Sequence, residues 1–256
     1  MKAFVIIQAR LTSSRLPGKI LYNLCDKTVI EWCIYRSKKI KKIDGVLIAV
    51  PKDDLHKPLK SFFNSIDCDF FLGDEKDVLS RYYYAAKSVK ADIIIRITSD
   101  CPLIDSNLVD SLYDIMIREK LDFITNMAPP SWPHGLDVSI FNMHSLQMAY
   151  KNAESNSDRE HVVPWMWRNC NINNRKLIKG RNIALQEFYN SYRWTIDTID
   201  DYLFFKKLES SFGNKLFKDW DWKYIIKKIS SNKIISKNLV VDRDINYWKT
   251  YIEDSK

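Results

Sequence analysis

The sequence predicts a single α/β domain with a mostly parallel central sheet and helices on both faces. Three observations predict it. Short, wholly apolar segments alternate with amphipathic ones as far as residue 120. Gly and Pro are scarce, at 6 and 8 of 256 residues, which disfavours long flexible linkers. The apolar fraction of 46% suits a chain that buries one large core.

The elements follow in order. AFVIIQA (3–9) reads as a buried parallel strand. TVIEWCIYRSKKI (28–40) reads as a helix opened by a Thr28–Glu31 capping box, with Val29, Trp32, Cys33 and Ile40 on its apolar face. GVLIAV (45–50) is a second strand, and DDLHKPLKSFFNSI (53–66) a helix that Pro58 is expected to interrupt. CDFFLG (68–73), EKDVLSRYYYAAKSV (75–89) and ADIIIRIT (91–98) give strand, helix and strand. A helix over 106–120 carries Leu108, Val109, Leu112, Ile115 and Met116 on one face. Repeated strand–helix units predict parallel pairing, with ligands bound beyond the carboxyl ends of the strands.

From residue 121 the rhythm changes. DFITN and GLDVSIF look like strands around the turn-rich APPSWPH, and a helix spans 143–152. SDREHVVPWMWRN starts as a helix with a Ser157–Glu160 capping box and meets Pro164. ALQEFYNSYRWTID carries a late strand, and TIDDYLFFKKLESSF is a helix capped by Thr198 and Asp201. We expect residues 121–190 to be an excursion within one domain, 1–256, rather than a second domain.

The formal charge of +8 is compatible with anionic small molecules. Cation runs such as FFKKLE and WKYIIKKISSNK read as solvated helix faces, and no nucleic-acid-binding motif accompanies them. Five cysteines without a C-x-x-C pair suggest neither a disulfide framework nor a zinc site. No apolar run reaches the roughly 18 residues of a membrane span, and AFVII is too short for a signal peptide. A cytoplasmic protein without nucleic-acid or membrane partners is expected.

The chemistry gathers in IIQARLTSSRLPGKIL (6–21). Arg10, Arg15 and Lys19 fall within ten residues, beside small hydroxyl side chains and a Pro-Gly turn. Such a loop can hold a polyphosphate: Arg binds phosphate bidentately, Lys supplies a point charge, and backbone N–H groups from Ala9 to Gly18, Leu11 among them, add donors. Solvated cations around an ordinary turn are the alternative on spacing alone. Neither a P-loop nor a G-x-G-x-x-G turn is present. Asp100 directly follows the strand IIIRIT and Asp197 lies in RWTID, so two carboxylates from distant segments can meet over one phosphate group. Arg96 and Thr98 end the fourth strand at the same edge.

QARLTSSRLPGKIL resembles the signature loop of the sugar-acid cytidylyltransferases, the CMP-Kdo and CMP-sialic acid synthetases. GDEKDVLSRYYYAAK, RITSDCPLID, HGLDVSIF, DREHVVPW and RWTIDTIDDY extend the resemblance, in the branch of spore coat polysaccharide biosynthesis protein F, over most of residues 4 to 205. Gln8 stands where the sialic acid and Kdo enzymes usually have Pro. The resemblance implies a Rossmann-like nucleotide-diphospho-sugar transferase fold. It also implies transfer of CMP from CTP to a small sugar or sugar-acid acceptor, with pyrophosphate leaving, for surface polysaccharide.

By the same resemblance Arg10, Arg15 and Lys19 grip the triphosphate, and Asp100 and Asp197 hold Mg²⁺. Asp74 or Arg81 touches the nucleotide, unless Arg81 only pairs with Asp77 one turn away. Acceptor candidates are Asn126, His134, Asp137, Arg159, Glu160 and His161. Relatives suggest a homodimer, for which the apolar segment 162–167 is a contact candidate. The rival readings are a glycosyltransferase of the same fold, which would want a D-x-D motif where TSDC offers one aspartate, and an inactive nucleotide-binding relative.

Overall fold

In a computed structural model of the chain, residues 1–173 and 175–232 are described. β1 (Ala3–Gln8) leads through a polar loop to a short hairpin, β2 (Asn23–Leu24) and β3 (Lys27–Thr28), and then to α1 (Val29–Ser37). The Thr28–Glu31 capping box is formed on both sides. β4 (Gly45–Pro51), α2 (Lys57–Ser65), β5 (Phe70–Gly73), α3 (Val78–Ser88), β6 (Ile93–Thr98) and α4 (Ser106–Glu119) complete the alternating half. The segment expected as one helix over 53–66 forms a 3-10 turn, Asp54–His56, followed by α2, and Pro58 does not break α2 itself. It stands in its first turn, where the missing N–H has no intrahelical acceptor to lose.

The second half comprises β7 (Phe123–Thr125), β8 (Ser139–Asn142), α5 (Met143–Asn152), α6 (Asn156–His161), α7 (Pro164–Arg168), β9 (Gly180–Asn182), α8 (Ile199–Phe212), α9 (Asn214–Lys218) and α10 (Trp222–Ser230). The sheet order is β5-β4-β1-β6-β8-β7-β9. The first four strands are parallel, β8 runs antiparallel to both β6 and β7, and β9 is parallel to β7. The expected excursion thus contributes three strands to the main sheet. The late strand expected in ALQEFYNSYRWTID is instead an irregular segment, tied to the body by a bridge between His134 and Arg193 and by hydrogen bonds to Ser131 and Asp100.

Both faces of the sheet are covered. Val5, Ile7, Ile95 and Ile97 pack under α1, α4 and α8, whereas Ile6, Ala49 and Ile94 pack under α3, α5 and α7. Alternating side chains of one strand feed two separate cores, as a doubly covered sheet requires. Val162, Val163, Trp165 and Met166 belong to the second core and are at most 9% exposed. Hence the segment read as a dimer contact is mostly interior. Trp194 is likewise fully buried. Lys233, the end of the run WKYIIKKISSNK, lies outside the described residues. Among the described residues no helix is long and apolar enough to cross a membrane.

Candidate active site

β1 and β6 are parallel neighbours with Gln8 in register with Thr98, so both carboxyl ends open into one cleft of about 280 Å³. The loop after β1 closes on itself through Gly18 N–H donating to Leu11 O at 3.0 Å. Gly18 takes φ 69°, a left-handed conformation that a side chain would strain, and directs Lys19 into a single 3-10 turn. The loop after β6 carries Asp100. Its carbonyl accepts from Ile196 N–H at 2.9 Å, which docks the segment carrying Asp197 beside it.

Lys19 joins the two. Its Nζ donates to Asp100 Oδ2 at 2.7 Å and to Asp197 Oδ1 at 2.8 Å. Burial lowers the pKa of the Lys19 ammonium, but the charges and hydrogen bonds of Asp100 and Asp197 outweigh it and hold the value above the ordinary one. Burial raises the Asp100 carboxyl, but Lys19, with a further hydrogen bond from Thr98, pulls it below the usual carboxylate range. Arg15 Nη2 approaches Asp197 Oδ1 at 3.1 Å. Arg193 Nη2 donates to the other oxygen of Asp197 at 3.0 Å, while its Nε and Nη2 hold Asp201 at 2.7 and 3.0 Å. Asp201 also caps α8 with Thr198. The second carboxylate is therefore fixed from behind by a helix start.

The same cleft is also lined by Gln8, Arg10, Arg81, Arg96, Glu160 and His161. Arg81 is 1% exposed, and burial pushes its pKa down to about 10. Burial also lowers the His161 imidazole; Glu160 opposes the shift, and Arg96 and Arg10 reinforce it. Gln8 Oε1 is buried without a hydrogen-bond partner. His134 and Asp137 line the cleft and approach each other at 3.7 Å.

Two carboxylates converging on one ammonium form a locus for positive charge. An oxygen-liganded divalent ion such as Mg²⁺, bound by one or two carboxylates plus phosphate, fits that donor set.

A cytidylyltransferase family model matches residues 4–224. The chain belongs to the cytidylyltransferase family. Among its relatives, the uncharacterized protein MJ1063 of Methanocaldococcus jannaschii is 34% identical over 83% of this chain and 85% of its own. The spore coat polysaccharide biosynthesis protein SpsF of Bacillus subtilis is 27% identical over 82% of this chain and 87% of its own. A cytidylyltransferase structure from Leptospira borgpetersenii serovar Hardjo-bovis superposes with a TM-score of 0.84 at 31% identity, covering 95% of this chain and 100% of that one. A CMP:2-keto-3-deoxy-manno-octonic acid synthetase solved with CTP has a TM-score of 0.62 at 18% identity, covering 82% and 99%, and shares the fold. This cytidylyltransferase is accordingly a CTP-dependent nucleotidyltransferase with the α/β fold of that family.

Of the residues singled out in the sequence, the cytidylyltransferase cleft is lined by Ala9, Arg10, Arg15, Lys19, Arg81, Arg96, Thr98, Asp100, His134, Asp137, Glu160, His161 and Asp197. Several of the residues singled out, inside the cleft or outside it, also hold bonds within the fold. Ala9 N–H is engaged by Ala49 O at 3.0 Å, so it is no phosphate donor. Leu11 packs against the core, and Gly18 takes the left-handed φ that its turn requires. The Asp74 carboxylate accepts from the backbone of Lys76 and Asp77, closing the turn before α3. Arg81 donates to the backbone carbonyls of Asp74 and Glu75 rather than to Asp77. Asp77 caps α3 and pairs with Arg159, which also holds Tyr150 O, so Arg159 braces α3 against α6 outside the cleft. Asn126 is fully buried and clamps its neighbours, donating to Leu136 O and accepting from Val138 N–H, each at 2.8 Å. The cap of α6 is Ser155, not Ser157, which frees Glu160 to pair with Arg10 at 3.7 Å. Arg193, Thr195 and Ser13 line the cleft and escaped the sequence reading. The signal for Arg193 was its place four residues before Asp197.

Proposed function

We propose that the chain transfers CMP from CTP to a sugar or sugar acid, releasing pyrophosphate, in the making of a surface polysaccharide. The observation that carries this reading is the convergence of Lys19, Asp100 and Asp197 at the carboxyl ends of β1 and β6. Asp100 and Asp197 are the residues that would hold Mg²⁺, which when bound neutralises phosphate charge and acidifies an oxygen nucleophile. An acceptor oxygen attacks the α-phosphorus, the bond to the β-phosphate oxygen breaks, and pyrophosphate leaves with the electron pair. Lys19, Arg15 and Arg10 supply the charge that stabilises the departing anion.

Arg193 keeps Asp197 oriented through both transfer and release. The acceptor lies between β6 and the second half of the chain, beside the cleft-lining His134, Asp137, Glu160 and His161. A sugar acid is favoured as its class by the likeness to a synthetase of that kind solved with CTP, and polysaccharide as its destination by the likeness to SpsF.

The test is a pyrophosphate-release screen of the four nucleoside triphosphates against a panel of sugars and sugar acids with Mg²⁺. Release that requires CTP together with one acceptor is expected. Release of a nucleoside diphosphate from a nucleotide sugar, with none of pyrophosphate from CTP, would favour the glycosyltransferase reading instead.

A further inference from the structure

Away from the cleft, one donor atom from each of Asp53, His56 and Glu75 lies within 4.8 Å of the other two. Asp53 and His56 belong to the turn after β4, and Glu75 to the loop after β5. These strands are paired neighbours at the sheet edge, which brings the two loops together. None of the three residues lines the cleft.

The His56 side chain is 0% exposed. Its Nδ1 lies 2.7 Å from Asp53 Oδ1. Its Nε2 is buried with no hydrogen-bond partner, and so is Asp53 Oδ2. Buried polar atoms are ordinarily matched. Capping, in which Asp53 Oδ1 accepts from His56 N–H at 3.2 Å, accounts for neither orphan.

We propose that Asp53, His56 and Glu75 bind a divalent transition ion of the Zn²⁺ type, at a site separate from the active cleft. An imidazole nitrogen with two carboxylates is a borderline donor set that suits Zn²⁺, whereas Mg²⁺ prefers oxygen alone. Tetrahedral bonds of about 2.1 Å space ligand atoms roughly 3.4 Å apart. Small rotations of Asp53 and Glu75, both half-buried, reach that spacing around the fixed imidazole, opening the 2.7 Å contact between His56 Nδ1 and Asp53 Oδ1. Glu75 also accepts from Thr12 Oγ1 at 2.7 Å through Oε1. A carboxylate has two oxygens, so it can ligate through one and hold Thr12 through the other, and the ion then braces the loop after β1.

The test titrates Zn²⁺ and Co²⁺ into the full chain carrying Asp100→Asn and Asp197→Asn, and into the wild-type chain in excess Mg²⁺. One equivalent is expected to bind in both, with a Co²⁺ ligand-field spectrum of nitrogen and oxygen ligation and no thiolate charge-transfer band. His56→Gln is expected to abolish this binding. Asp53→Asn, which keeps a capping oxygen for His56 N–H, is expected to weaken it by about tenfold or more. Circular dichroism separates lost binding from lost fold, and Asp53→Asn, at a half-buried position, decides the matter if His56→Gln fails to fold. Absence of stoichiometric binding in either background, thiolate ligation, or affinity unchanged by Asp53→Asn overturns the proposal.

Discussion

Lys19 Nζ lies 2.8 Å from Asp197 Oδ1, across 178 residues of chain. The same ammonium reaches Asp100 at 2.7 Å and so joins two largely buried carboxylates. A divalent ion held by Asp100 and Asp197 would compete with the Lys19 ammonium for that locus. Lys19, displaced in that way, would be available to phosphate oxygens instead.

Lys19→Met removes the one ammonium shared by both carboxylates and leaves Asp197 to Arg15 and Arg193. The metal-free variant is expected to melt at a lower temperature than wild type, and Mg²⁺ or Mn²⁺ to restore more of that loss than it adds to wild type. Turnover is expected to fall by about 10²–10³-fold, as for the loss of one charge-stabilising group. Thermal melts with and without metal, beside pyrophosphate release, check both halves. A melting point that ignores metal would contradict the shared locus.

Arg193 and Asp201 form the brace behind Asp197. Burial opposes the charge on each, yet their mutual hydrogen bonds raise the Arg193 pKa and lower that of Asp201. A depressed carboxylate pKa contributes stability above the unfolded value of about 3.9 and loses it as pH falls through the folded value. Wild type should therefore lose stability below about pH 4, and Asp201→Asn should flatten that acid limb. Arg193→Met, which strands the Asp201 charge, should cost about 3 kcal/mol in denaturant unfolding at neutral pH.

Gly135 is irreplaceable on steric grounds. Its φ is +108°, and a Cβ there would lie 2.5 Å from the backbone carbon and oxygen of Trp194. Those atoms are the wall that carries Arg193 and Asp197 to the cleft. Gly135→Ala is expected to give little soluble protein, or a melting temperature lowered by well over 10 °C. A variant as stable as wild type would mean that the two segments do not touch.

His161 should titrate below the ordinary histidine value of about 6.5. It is depressed by burial and by Arg96 and Arg10, against Glu160 and Asp158. The sign follows from linkage: the unfolded chain takes up its proton first, so this group erodes stability as pH falls below about 6.5. Proton NMR of the imidazole, with His161→Gln for assignment, measures the midpoint directly. A midpoint at or above that value would contradict the buried, cation-flanked setting.

Much of the frame is local and was legible residue by residue. The capping boxes at Thr28–Glu31 and Thr198–Asp201 form as read, because their donors and acceptors lie three residues apart. The apolar runs of β1, β4 and β6 form parallel strands because both faces of each are buried. The helix 143–152 agrees at both ends, with Asn142 as its cap. Errors began where two local answers competed. Ser155 and Ser157 are both plausible caps, and the chain uses the first.

Residue pattern along the chain carries the alternation of elements, the cation-rich loop and the family. Tertiary structure decided which charges meet. Asp77 chose Arg159 over Arg81, at a separation of 82 residues instead of four. Asn126 became a backbone clamp, and Arg193 joined the cleft. The reason is physical: a strand or cap is fixed by neighbours along the chain, whereas a buried polar group takes whichever partner packing brings within about 3 Å.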